Sequence, residues 1–277
     1  MRFPQLIALC AALAATSACG PKYGAYNDDT GLRGIQVPKG SLAGTWGEVV
    51  EFDTIVPVPI LGDREGGGRN TRLVTITWNK TDQKYDETFT RCTNEVFTVE
   101  NTMTIVRPET LAKIEPCSYR SVPDHAQGAY RSETVVELWG VRDLPDPENT
   151  PLPTKDNFKT SPQSDWMWDE DDDGHPGVTI EMRGLIVADL YVCKRSVYVF
   201  DGTIVSKDHV MGLIRPSQAE SNSVAASVDW IRGEGSSKPN PDPLRTWFDM
   251  TRLTDGAGCD DLAQAVSDGR LSMTRPF

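Results

Sequence analysis

Residues 168–180, WDEDDDGHPGVTI, set five acids in a row, Asp169 through Asp173, ahead of a β-branched run. Neighbouring carboxylates raise one another's pKa values by repulsion, so a run this dense calls for a counter-ion or for open water. Calcium is the ion the spacing suits. Calcium loops place side-chain oxygens at positions one, three and five, a glycine at six for the sharp bend and a backbone carbonyl at seven. Asp169, Asp171 and Asp173 have that spacing, Gly174 supplies the bend and His175 the carbonyl. Position nine is Gly177 and position twelve is Ile180, where a bidentate Glu would close the shell. A closing carboxylate must therefore come from elsewhere, with Asp165 and Glu181 as candidates. The expected role of the calcium is structural, pinning the preceding loop to the next strand, at an affinity of about 10⁻⁴–10⁻³ M. The alternative is an acidic turn bathed in water.

The same two departures separate this loop from the EF-hand. It is more similar to the Asp-x-Asp-x-Asp-Gly loops of thrombospondin type 3 and integrin-type repeats, which lead into a strand rather than a helix. That resemblance stops at position nine, where the usual acid is missing.

Little else in the chain promises catalysis, which needs a nucleophile with its base, a tuned acid–base pair or a catalytic metal. There is no Gly-x-Ser-x-Gly elbow, no His-Glu-x-x-His and no dinucleotide fingerprint. REGGGRN at 64–70 has no helix behind it to cradle a phosphate and is expected to be a hairpin loop. Of the three histidines, His125 and His209 each follow an Asp, but side chains adjacent along a strand point to opposite faces. Paired carboxylates for glycoside hydrolysis depend on the fold, not on spacing. Trp166 and Trp168 flank the acidic run in an aperiodic segment and could form a sugar- or peptide-binding lip. The other tryptophans, Trp46, Trp78, Trp139, Trp230 and Trp247, lie in strand-like runs and are expected in the core.

These groups must be positioned by strands, because the dominant period is two. In TRLVTITWNK, Arg72, Val74, Ile76 and Trp78 fall on one face, with Leu73, Thr75, Thr77 and Asn79 on the other. Asp201-Gly202 inside SVYVFDGTIV is the strongest short hairpin signal in the chain. Many short runs of this kind predict a mostly β fold, an antiparallel barrel or sandwich. DDLAQAVSDG should give one short C-terminal helix, capped by Asp260 or Asp261 and stopped by Gly269. LAGTWGEV resembles the Gly-x-Trp opening of lipocalin-type barrels through Gly44 and Trp46, and that resemblance implies a tryptophan closing a barrel floor. The segment 143–167, rich in Pro and polar residues, is either an internal boundary or an excursion from the fold.

The N-terminus reads as an address. Arg2 precedes a short apolar run, FPQLIALCAALAA, and then TSAC. This is similar to a bacterial lipoprotein signal with its lipobox, although Thr16 replaces the usual Leu. The resemblance implies a signal over 1–18, acylation of Cys19 and anchorage in a lipid bilayer. With Gly20 rather than Asp next, it implies the Gram-negative outer membrane, on its periplasmic or cell-surface face. The alternative is an ordinary secretory signal cut near Ala18. Residues 19–42 read as a flexible tether, and 43–277 as the β domain.

Of six cysteines, Cys10 lies in the signal and Cys19 is the lipid site. An even number remains for an oxidising compartment, so Cys92, Cys117, Cys193 and Cys259 are expected to form two disulfides. Connectivity does not follow from sequence, but proximity favours Cys92–Cys117 with Cys193–Cys259. The formal net charge of −12 opposes binding to nucleic acid. Two functions of different class follow. One is a non-catalytic binding or structural module of the envelope, with a barrel pocket for an apolar small molecule or a glycan. The other is a glycan-directed hydrolase using two buried carboxylates beside a Trp-lined cleft.

Overall fold

The computed structural model describes residues 28–58, 62–99, 101–184 and 187–277. The signal segment and Cys19 lie outside the described residues. Strands dominate, as the period-two pattern requires. They are β1 (Gly44–Val58), β2 (Gly62–Asn79), β3 (Lys84–Val96), β4 (Thr102–Ile105), β5 (Cys117–Ser121), β6 (Ala129–Arg131) and β7 (Val135–Trp139). After a long excursion come β8 (Val178–Gly184), β9 (Ala188–Ser206), β10 (His209–Ala226), β11 (Gly233–Ser236), β12 (Lys238–Pro239) and β13 (Trp247–Arg252). Helices are short: α1 (Pro108–Leu111), α2 (Gln163–Trp166) and α3 (Cys259–Ser267). No helix among the described residues is long and apolar enough to cross a membrane.

All strands belong to one antiparallel sheet, ordered β4-β8-β9-β10-β13-β1-β2-β3-β5, with β6 and β7 also paired to β9. The sheet is not a closed barrel. It curls until β5 faces β6 and β7, where isolated Ser121–Ser132 and Asp124–Ala129 bridges and loop hydrogen bonds span the gap. Val122 N–H donates to Arg131 O at 2.8 Å there, and Glu133 N–H to Arg120 O at 2.7 Å. The curl gives the sheet an inside. Trp46, Val50, Val74, Ile76, Tyr85, Phe89, Tyr198, Phe200, Phe248 and Met250 fill it from the inner faces of five strands. The alternation read from β2 holds: Val74 and Ile76 point in beside buried Arg72, while Leu73 packs outward. Trp46 closes the end of the curl where β1 begins, its Nε1–H donating to Leu42 O at 2.8 Å with the Arg252 guanidinium 4.4 Å over its ring. Val37 and Leu42, inside the segment expected to be tether, are buried in this core.

Three smaller apolar clusters cover the outside. The helix α3 lays Leu262 and Ala265 against Val49, Leu213 and Trp247. It starts after Gly258, whose N–H donates to Asp261 at 2.8 Å, and ends at left-handed Gly269 (φ 71°). The 143–167 segment is an excursion packed onto the outer face of the sheet. Its Leu144, Leu152 and Phe158 meet Cys193 and Val224, and strands from both sides of it pair with β9. Leu111 and Ile114, at the end of α1 and just beyond it, pack with Trp139, Val178 and Val192.

Two glycine-based expectations fail for one reason, close approach. REGGGRN is not a loop but part of β2, paired residue by residue with β1. Gly67 has φ +127° and a Cβ there would lie 2.0 Å from Phe52 O, so only glycine fits. Asp201-Gly202 is likewise not a turn. The β9 strand runs straight through it, pairs Gly202 with Gly212, and turns later at Lys207-Asp208. A Cβ on Gly202 would lie 2.5 Å from the Phe248 ring, so this glycine makes room for the aromatic core. Trp230, expected in the core, stands 71% exposed in a 3-10 turn after β10.

The cysteine pairing also differs. Cys92 is bonded to Cys259, with 5.4 Å between their Cα atoms, and Cys117 and Cys193 are free and buried. The reason is facing. The β2–β3 pairing steps from Thr71–Thr93 to Arg72–Arg91, which leaves Cys92 as the extra residue of a bulge, turned outward against α3. Cys117 points into the curl and Cys193 into the cluster beneath the 143–167 segment, where its thiol lies 3.3 Å from Pro153 O. Burial pushes both free thiols up to about 12.

Candidate functional site

The inside of the curl is solid at the Trp46 end and open at the other. There β1, β2, β3, β7, β9, β10 and β12 surround a cavity of about 240 Å³. Phe52, Val56, Val96, Pro216 and Pro239 give it apolar wall, and Gly67 and Gly68 keep the β2 side free of side chains. Its floor is charged: Arg72, Glu137, Lys194 and Tyr198 all line it.

These floor groups come from strand positions that alternation turns inward, so each must find its partner inside the protein. Arg72, fully buried, donates to Tyr198 Oη at 3.1 Å and to Glu137 Oε2 at 3.2 Å, and lies 4.2 Å from the Phe89 ring centroid. Arg91 reaches Glu137 Oε1 from the other side at 2.7 Å and also donates to Glu115 O. Trp139 Nε1–H and Tyr198 Oη–H complete the set around Glu137, at 2.9 and 3.1 Å. Burial alone would push the Glu137 carboxyl up, but Arg91, Arg72 and Lys194 outweigh it and hold the group well below the usual carboxylate range. Burial would likewise favour losing the Arg72 proton, yet Tyr198, Glu137 and Glu48 keep it charged. The Lys194 ammonium is lowered by burial and by the two arginines, against the pull of Glu137.

Beneath this floor lie two more acids. Glu87 accepts from Tyr119 and Tyr130 at 2.8 Å and from Ser121, and burial raises its pKa. Glu48, 3.7 Å from Arg72, leaves its Oε2 without a hydrogen-bond donor. Burial pushes it up to about 7, with Arg72 opposing and Glu87 and Glu137 adding to the rise. The sign for stability follows. Glu48 takes its proton more readily folded than unfolded, so the folded state loses stability as pH rises from the unfolded value of 4.5 to about 7. At about 1.4 kcal/mol per pKa unit the loss is about 3 kcal/mol above pH 7. Glu48→Gln should remove this loss. Urea unfolding at pH 5 and pH 8 should show the variant gaining at pH 8 relative to pH 5; parallel behaviour of the two proteins would refute it.

The acidic loop lies elsewhere, on the outside. Asp169, Asp171 and Asp173 do converge, with one oxygen of each within 4.8 Å of the others. Loop amides hold them there. Asp173 and Gly174 N–H donate to Asp169, His175 N–H to Asp173, and Thr179 N–H to Asp171 at 3.0 Å. The Asp171 Oδ1 atom is buried without a donor. The His175 ring stacks on Tyr191 with centroids 3.9 Å apart. Neither candidate closing ligand joins the three: Glu181 pairs with Arg107 and Arg183, and Asp165 accepts from Ser161 and Ser164. The acid that pins this loop is Glu170, 4% exposed, which accepts Gly140 N–H at 2.5 Å and Glu115 N–H at 2.9 Å. No local signal marks it in the sequence, since Asp172, which alternates with the three spaced aspartates in the same way, is exposed and pairs with Lys113.

Trp166 packs in the cluster of the 143–167 segment, and Trp168 lies under the Arg142 guanidinium at 4.8 Å. Neither lines the cavity, and no tryptophan does. His209 bonds to buried Asp249 at 2.5 Å on the outer face, away from the cavity. The floor residues were missed because Arg72 was read only as a face marker. An arginine in phase with Val74, Ile76 and Trp78 was the available signal.

No family model, curated protein or solved structure matches this chain. The chemistry of the cavity follows from its own lining. Of the two carboxylates that line the cavity, Glu137 is held ionised by two guanidiniums and is a poor general acid. Asp53, raised by burial, has its oxygens engaged by Arg245 and Asn240, and Glu48 does not reach the cavity. Apolar wall above a polar floor is instead the composition of a small-molecule pocket.

Proposed function

We propose that this chain is a lipid-anchored protein of the bacterial envelope that holds a small molecule in the open end of its curled sheet without transforming it. The observation that carries this reading is the cavity of about 240 Å³, open where the sheet ends and built over a floor whose carboxylate, Glu137, is already paired with two guanidiniums. A carboxylate already engaged on both oxygens favours orienting a ligand over moving a proton. A neutral naphthylamine fluorophore titrated into the mature chain should brighten on uptake, and Val96→Trp, which fills the wall, should abolish the signal without unfolding the protein. Uptake that ignores Val96→Trp, or none at all, would remove the cavity from consideration. The anchor is tested separately, by mass spectrometry of the N-terminal peptide. An acylated Cys19 is expected, and a free Cys19 thiol rules the anchor out.

The acidic loop is read as a structural calcium site. This is supported by the convergence of Asp169, Asp171 and Asp173 and by the donorless buried oxygen of Asp171. The His175 carbonyl and water would complete the oxygen shell. Millimolar calcium should raise the melting temperature by several degrees over chelator, and Asp171→Ala should erase the difference. An identical melt with and without calcium would leave only a solvated turn.

A further inference from the structure

The cavity reading leaves the class of ligand open, and the floor carries a charge imbalance that narrows it. Three cationic side chains, Arg72, Arg91 and Lys194, converge on one carboxylate, Glu137. The second acid near them, Glu48, lies 3.7 Å from Arg72 outside the cavity and is pushed toward its neutral form by burial. Both oxygens of Glu137 are used, Oε1 by Arg91 and Trp139 and Oε2 by Arg72 and Tyr198. Lys194 is left over. It lines the cavity, forms no ion pair or hydrogen bond through its ammonium among the described residues, and lies over the Trp139 ring at 4.7 Å. Arg72 lines the same floor with 0% exposure, and its Nε–H is buried with no acceptor. A ligand that covers this floor removes water from Lys194. Burying an ammonium without a counter-charge is strongly unfavourable, and a ligand that brings the charge avoids that cost. A cation would have to settle beside Arg72 and Lys194 with no free carboxylate to meet it.

Resting on the cavity reading above, we propose that the ligand is a small organic anion, a carboxylate carried on an apolar body. Its charged end meets Lys194, near the buried positive charge of Arg72, and its body lies along Phe52, Val56 and Val96. The volume sets the size. About 240 Å³ is the space of roughly eight water molecules, so the body is a short chain or a single ring rather than a full-length lipid tail.

Isothermal titration of the mature chain with octanoate, 1-octanol and octylamine at one ionic strength separates the possibilities. Octanoate should bind at least about tenfold more tightly than octanol, and octylamine not measurably. Lys194→Met keeps the apolar stem over Trp139 and should lower octanoate affinity about tenfold while leaving octanol unchanged. Lys194→Gln guards against a folding defect in the first variant, and Val96→Trp must abolish octanoate binding if the site is this cavity. Octanol binding as well as octanoate, or a preference for octylamine, overturns the anion proposal and leaves the cavity reading standing. Fluorophore uptake with none of the three ligands bound also overturns the anion proposal alone. Failure of the fluorophore and of all three ligands overturns both.

Discussion

Glu137→Gln should lower the unfolding free energy by about 3–5 kcal/mol. Glutamine keeps the shape but withdraws the charge, and two guanidiniums then lie deep inside the curl with only Glu48, 3.7 Å from Arg72 and pushed up to about 7 by burial, to offset them. Arg72 is the worse placed, with no exposure and no route to water except the cavity. Urea unfolding followed by tryptophan fluorescence at pH 7 measures the loss directly. A loss under about 1 kcal/mol would mean that water already solvates the floor and that the network contributes little to folding. The companion variant is Glu137→Leu with Arg72→Met and Arg91→Met. Replacing a whole buried ionic group by apolar residues is often neutral, so this variant should recover most of the stability. It should also lose the cavity's charged floor, which separates what the network does for folding from what it does for binding.

Breaking the Cys92–Cys259 bond should cost a comparable amount, about 5 kcal/mol. In the chain-entropy account the stabilisation grows with the length of the closed loop, and 167 residues separate these two cysteines. The bond clamps α3 to the bulge of β3, and α3 is the lid over Val49, Leu213 and Trp247. Cys259→Ser, and reduction of the wild-type protein, should shift the urea midpoint down by the same amount. A shift of under about 1 kcal/mol would show that packing alone holds the helix in place.

The mostly antiparallel β fold and the terminal helix could be read from the sequence because both rest on local rules. The alternation through Arg72, Val74, Ile76 and Trp78 survives because one face of β2 is buried along that whole stretch, and a slip of one residue would invert it. What could not be read depends on contacts far along the chain. Gly202 looks like a turn residue until Phe248, from another strand, is known to need its space. Gly66, Gly67 and Gly68 look like a loop until β1 is laid against them. Proximity in sequence misjudged the cysteines because facing, not distance along the chain, selects partners. Cys92 and Cys117 lie on neighbouring strands yet look outward and inward. The acidic loop was legible in its aspartates and illegible in Glu170, whose two amide partners, Gly140 and Glu115, come from segments far upstream.

The placement of the disulfide bears on how the protein is made. Cys259 follows Cys92, Cys117 and Cys193 along the chain, so no correct cross-link exists until all four have emerged. An oxidant acting on the growing chain would meet Cys92 and Cys117 first and join the wrong two. Efficient biogenesis therefore calls for delayed oxidation or for a catalyst that reshuffles premature links.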